Sequence, residues 1–194
     1  IAEKQPNYSG KNLTFEGKGN KTVWQIGAKN PNPDLLGTEY NGDYSFDGRG
    51  TVKEETVTFR NINFYVGTEN YLGFIGIDNF VLENCTVNGI MTYGGTKTAK
   101  YEGVVFNAPT YAKNKKIDYS FYSIDGDVVT FKDCTFNGDG KFINVYTHYE
   151  ENDVIKTINF DSCTVNSTGN NKQPLNIKNG DSTRDTKRTV NWTI

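Results

Sequence analysis

The sequence predicts an all-β chain wound as a parallel solenoid, with three strands per coil and about 7–8 coils. Three observations predict it: the composition, a spacing of apolar residues written several times over, and the residue type at the break inside each copy. Leu and Ala are scarce, whereas Asn, Thr, Gly, Tyr and Phe are plentiful. That balance disfavours helix and favours short strands cut by turns.

The repeated stretches are "VTFRNINF" from Val57, "FVLENCTV" from Phe80, "VTFKDCTF" from Val129 and "INFDSCTV" from Ile158, with a weaker copy around Tyr101. Aligned on Phe59, Leu82, Tyr101, Phe131 and Phe160, they share apolar residues two positions earlier, at Val57, Phe80, Ala99, Val129 and Ile158. Three positions later stand Ile62, Cys85, Val104, Cys134 and Cys163, and five later Phe64, Val87, Phe106, Phe136 and Val165. A straight strand has period two, so the three-residue step in the middle requires a bend that resets the inward face. The residue at the bend is Asn61, Asn84, Gly103, Asp133 or Ser162. Asn, Asp and Gly tolerate a left-handed backbone best, and Ser162 suits it least.

The central residues are 23, 19, 30 and 29 positions apart, leaving length for a third strand and loops of unequal size. The third strands are expected at 73–77, 89–93, 119–124 and 142–146. At the N-terminal side, "LTFEGKG" from Leu13 and "YSFDGRG" from Tyr44 share one pattern and read as early coils, separated by a loop near 28–43. Residues 1–55 are thus irregular N-terminal coils, 55–170 regular coils and 171–194 a C-terminal coil or cap, within a single domain. The closing "TVNWTI" alternates as a last strand, with Trp192 placed to cap the core.

Charge and hydropathy exclude some classes of partner. The 21 basic and 23 acidic side chains nearly cancel, and no long run of either sign suggests nucleic acid. No apolar stretch approaches the roughly 20 residues that span a bilayer. The N-terminus lacks the apolar core of a signal peptide, and its Ile1 leads to the expectation of a processed or excised part of a longer protein with flanking domains. The three cysteines are an odd number without metal-type spacing. They fall in one column and are expected as buried free thiols, small hydrophobes within the core.

The columns, and "FKDCTFNG" and "LENCTVNG" in particular, resemble the coils of the right-handed parallel β-helix of the pectin-lyase-like superfamily over roughly residues 55–170. The resemblance implies right-handed winding. It does not imply one activity, because this fold hosts lyases, hydrolases, esterases, tailspikes and non-catalytic adhesins. The Asn-Thr-Asp, Asp-Asp, Gly-His-Gly and Arg-Ile-Lys motifs of polygalacturonase-like hydrolases do not occur. The sole histidine, His148, has no Gly on either side and reads as a solvated strand end.

Elimination of the pectate-lyase kind needs calcium-binding carboxylates and a base for the α-proton. Asp125 and Asp127, near Asp78, form the best acidic group and leave calcium as the one alternative to an absence of cofactors, with no Lys or Arg tied to them. The run Glu150, Glu151 and Asp153 reads as a solvated loop. The outward column Arg60, Glu83, Glu102, Lys132 and Asp161 reads as mild pairing between coils.

Aromatic residues are the remaining lead. If Ile75, Ile90, Ile143 and Val145 face inward, then Phe74, Met91, Tyr93, Phe142, Tyr146 and His148 face outward, with Tyr122 beside them. Such rings stack on sugar faces, and Asn144 and Asp125 offer hydrogen bonds to hydroxyls. The ligand-binding set expected from sequence is Phe74, Tyr93, Tyr122, Asp125, Asn144, Tyr146 and His148, with no catalytic or metal residue assigned. The function expected is that of a monomeric, non-catalytic, extracellular or cell-surface module of a bacterial protein, used for adhesion or for binding polysaccharide or glycoconjugate. The rivals are a divergent polysaccharide lyase or hydrolase and a structural spacer.

Overall fold

A computed structural model of the chain describes residues 11–26, 46–47, 54–66, 72–89, 91–92, 95–107, 121–123, 126–138, 143–145, 154–167, 175–177 and 188–194. In chain order the strands are β1 (Leu13–Glu16), β2 (Val23–Ile26), β3 (Phe46–Asp47), β4 (Thr56–Arg60), β5 (Asn63–Val66) and β6 (Leu72–Ile75). They continue as β7 (Ile77–Glu83), β8 (Thr86–Asn88), β9 (Met91–Thr92), β10 (Gly95–Glu102), β11 (Val105–Asn107) and β12 (Phe121–Ser123). The last are β13 (Val128–Lys132), β14 (Thr135–Gly138), β15 (Ile143–Val145), β16 (Val154–Asp161), β17 (Thr164–Ser167), β18 (Leu175–Ile177) and β19 (Arg188–Thr193). Among the described residues there is no α-helix, and no helix long and apolar enough to cross a membrane.

Every third strand joins the same sheet. The first sheet runs β1-β4-β7-β10-β13-β16-β19 and the second β2-β5-β8-β11-β14-β17. The third runs β3-β6-β9-β12, and the pair β15-β18 follows the same place in the cycle. The pairings in register are parallel, as a β-solenoid requires. Phe15, Phe59, Leu82, Tyr101, Phe131 and Phe160 lie one above another, as the repeat predicts.

Between the first and second sheets the chain turns on a single left-handed residue. Asn61, Asn84, Gly103, Asp133 and Ser162 have φ of 56, 50, 62, 52 and 55°. Even Ser162, the least suited type, adopts the corner, because ladders on both sides fix it. The amides of Asn61, Asn84, Gly103 and Asp133 donate to a carbonyl of the next layer, as from Asn61 to Glu83 at 3.0 Å and from Asp133 to Asp161 at 2.9 Å. The amide just past the following core residue donates in the opposite direction, as from Thr135 to Val104 at 2.9 Å. These bonds pair amides on both sides of the bend, as a buried corner demands.

The columns form the core. Rings stack between layers, with centroids 4.7 Å apart for Phe15 and Phe59, 4.7 Å for Tyr101 and Phe131, and 5.1 Å for Phe131 and Phe160. Each such pair contributes about 0.5–1.5 kcal/mol beyond its buried area. Leu82 interrupts the ring column, and Phe80 fills the gap with contacts to Phe59 and Tyr101. Towards the last layers the packing loosens: Phe160 and Cys163 are only partly buried, and Val165 is 48% exposed.

One expectation is corrected here. Phe74 and Met91 do not face outward; both are buried, at 1% and 0% exposure. Phe74 packs between Phe59 and Phe80, with centroids at 4.9 and 4.6 Å. The cause is a second left-handed residue, Gly76 at φ 70°, which resets the facing so that Phe74 and Ile77, three apart, both point inward. The two early coils meet different sheets. Phe15 pairs with Phe59 in the first sheet, whereas Phe46 pairs with Phe74 in the third.

Candidate functional site

The predicted binding set is not assembled as expected. Phe74 belongs to the core. Tyr93, Asp125, Tyr146 and His148 lie outside the described residues, as do Phe142, Glu150, Glu151 and Asp153. Tyr122 and Asn144 fall in β12 and β15, of which only the backbone is described; Asn144 pairs in register with Asn176. The side chain of Trp192 is also outside the description, although its backbone pairs with Ile158.

What the described residues do present is a set of outward columns on the first and second sheets. The charged column lies just before the corner. The guanidinium of Arg60 bridges Glu83 at 2.9 Å and Glu16 at 3.4 Å, and Lys132 reaches Glu102 at 3.1 Å. The ammonium groups of Lys100 and Lys132 hold the Glu102 carboxyl below the usual carboxylate range. The mild pairing expected for this column is present.

A second charged column flanks the first sheet on its other side. Lys97 contacts Asp78 at 3.0 Å and Glu54 at 3.7 Å, and the amide of Glu54 donates to Asp78 at 2.8 Å. Asp127 and Lys156 pair at 3.6 Å, with Lys156 only 2% exposed. Asp127 therefore has a lysine beside it, which the sequence reading did not find. Asp78 and Asp127 are not stacked on one another, because β10 lies between β7 and β13. Among the described residues no three His, Cys, Asp or Glu side chains gather as a metal cluster.

The second sheet ends in an asparagine ladder that the sequence reading missed. Asn107 donates to Asn88 at 2.8 Å, Asn137 to Asn107 at 2.9 Å and Asn166 to Asn137 at 2.8 Å, while Asn88 donates to the Phe64 carbonyl. The signal was available: an Asn stands six residues after Leu82, Tyr101, Phe131 and Phe160. The cysteine column is inward. All three thiols are free, and each lies near two carbonyl oxygens, as Cys134 does with Tyr101 and Lys132, both at 3.4 Å. Burial pushes the Cys85 thiol up to about 11 and the Cys134 thiol up to about 12, so neither is a nucleophile near neutrality.

The outer face of the first sheet, between the two charged columns, is nearly neutral. One column is Thr56, Asn79, Thr98, Val128, Thr157 and Asn191 in register. The next, two residues on, is Thr58, Val81, Lys100, Thr130, Asn159 and Thr193. Each layer from β4 to β19 thus carries Thr or Asn in at least one column. All of these side chains except Thr58 are at least partly exposed.

The chain matches no protein-family model, no curated protein and no solved structure. The reading of function accordingly rests on these columns.

Proposed function

We propose that the chain is a non-catalytic module of a secreted or surface-displayed bacterial protein, wound right-handed in the manner of the pectin-lyase-like superfamily, that contacts polysaccharide or glycoconjugate. The observation that supports a non-catalytic role is the disposition of the carboxylates. Glu16, Glu83, Glu102, Asp78 and Asp127 each have a Lys or Arg nitrogen within 4 Å. Acid–base cleavage of a glycosidic bond needs two carboxyl groups in unlike environments with room between them for sugar and water. Carboxylates committed to a cation in the next layer serve the stack instead. Recognition then falls to hydroxyl, amide and aromatic groups, the chemistry that meets sugar hydroxyls and ring faces.

The test is a glycan array together with incubation of the chain with uronate polymers and calcium. Binding without product is the expected result. Release of unsaturated sugars makes the chain a lyase, and silence in both assays makes it a spacer.

A further inference from the structure

We infer that the outer face of the first sheet is the binding surface, and that its ligand is an uncharged, extended polysaccharide lying along the stack. This inference rests on the glycan reading above and adds a place and a ligand class. It would put the contact away from the third strands, where the sequence had placed it.

Thr is common on exposed sheet faces through its β-branch, but Asn is disfavoured in strands. Asn79, Asn159 and Asn191 nevertheless stand at outward positions on this sheet. Two of them are oriented by hydrogen bonds within the face: Thr98 donates to the Asn79 side-chain oxygen at 2.9 Å, and the Asn159 amide donates to the Thr130 hydroxyl at 3.5 Å. Asn79 also donates to the Glu54 carbonyl at 3.2 Å, and an amide so held keeps one further N–H and one further lone pair. The array is therefore preorganised, which reduces the ordering cost of binding.

The second step is spacing. Parallel strands in register repeat every 4.7–4.9 Å or so, and each repeat offers a hydroxyl or an amide. A ligand matching such a row must itself repeat along the stack and carry hydroxyls on one side, which describes a polysaccharide chain better than a compact ligand.

The third step is charge. A uronate polymer needs uncommitted cations, but those on and beside the face are engaged: Arg60 with Glu83 and Glu16, Lys132 and Lys100 with Glu102, and Lys97 with Asp78. The carboxylates on the two rims outnumber these cations, and the one charge on the strip between them, Lys100, is held by Glu102. A neutral polymer meets no desolvated, unmatched charge on that strip.

The experiment is native affinity electrophoresis of the full chain in gels containing hydroxyethylcellulose, glucomannan or polygalacturonate. Retardation is expected in the neutral polymers and not in polygalacturonate. Thr98→Glu and Thr130→Glu, which place a charge on the strip, are expected to weaken binding about tenfold or more. Thr135→Glu, outward on the second sheet, is expected to leave it unchanged. Thermal unfolding of each variant reports whether it folds, and the exposed Thr98 site supplies a readout if Thr130→Glu does not. Glycan binding that persists unchanged in both Glu variants, or a preference for polygalacturonate, overturns this face while leaving the glycan reading standing. Binding to no polymer and to no arrayed glycan overturns both.

Discussion

The side-chain oxygen of Asn84 lies 2.6 Å from the point where a Cβ on Gly103 would stand. Gly103 is thus doubly constrained, by its left-handed φ of 62° and by the corner residue of the preceding layer. Gly103→Ala is expected to destabilise the chain by about 2 kcal/mol or more in denaturant unfolding, since the left-handed conformation alone costs about 1–2 kcal/mol. In the double variant Asn84→Ala/Gly103→Ala the steric part should disappear while the conformational part stays. Strict additivity of the two single changes would show that the contact has no energetic role.

Asn107 sits in the middle of the amide ladder, donating to Asn88 and accepting from Asn137. Asn107→Ala removes two hydrogen bonds and is expected to cost about 1–3 kcal/mol. Asn107→Asp keeps the acceptor but sets a carboxylate against the Asn88 oxygen. Its loss of stability should therefore be larger at pH 7 than at pH 4, where protonation restores a donor. A pH-independent deficit would argue against the ladder.

The cysteine column makes stability depend on alkaline pH. In the unfolded chain a thiol ionises near 9, whereas Cys85 and Cys134 in the fold hold their protons to about 11 and about 12. Their contribution is fully present below pH 9 and is lost as pH rises from there through the folded values. Urea midpoints should fall across that window, and Cys85→Val with Cys134→Val should flatten the fall. Val104 occupies the same column and is fully buried, so Val is sterically apt there. Maleimide should label the half-buried Cys163 first; labelling of Cys134 ahead of Cys163 in the native state would contradict the packing.

Glu102 gives the opposite sign. Lys100 and Lys132 lower its carboxyl, so its contribution is present above the ordinary carboxylate pKa and is lost as pH falls through the lowered one. Glu102→Gln should flatten the acid side of the stability profile, with a difference that shrinks in 1 M salt because the pairs are exposed. An acid limb unchanged by the substitution would mean that the pairs are ornamental.

Much of the scaffold was legible because each local choice recurs in the layer above. One Phe in a strand is ambiguous, but Val57, Phe59, Ile62 and Phe64 repeated as Val129, Phe131, Cys134 and Phe136 fix both strands and the bend between them. The asparagine ladder repeats on the same grounds, but its residues are polar, and apolar burial alone does not single them out. The third strands were not legible in the same way. They are two to four residues long, too short for alternation to choose a phase, and Gly76 resets the facing after Phe74. "YSFDGRG" shows a related limit of short matches: seven residues that match "LTFEGKG" mark an early coil but not the sheet that receives it.

The sequence by itself determined the period, the left-handed corners and the inward columns, since these follow from backbone sterics and apolar burial acting within a single repeat. The tertiary structure decided which outward residues meet. Asn79 with Thr98, Asp127 with Lys156 and Arg60 with both Glu16 and Glu83 are partners 19 to 44 positions apart, joined only when the layers stack in register. The faces that bear on function belong to that second kind, because hydrogen bonds and charge pairs depend on distances between layers, which no stretch of the chain specifies alone.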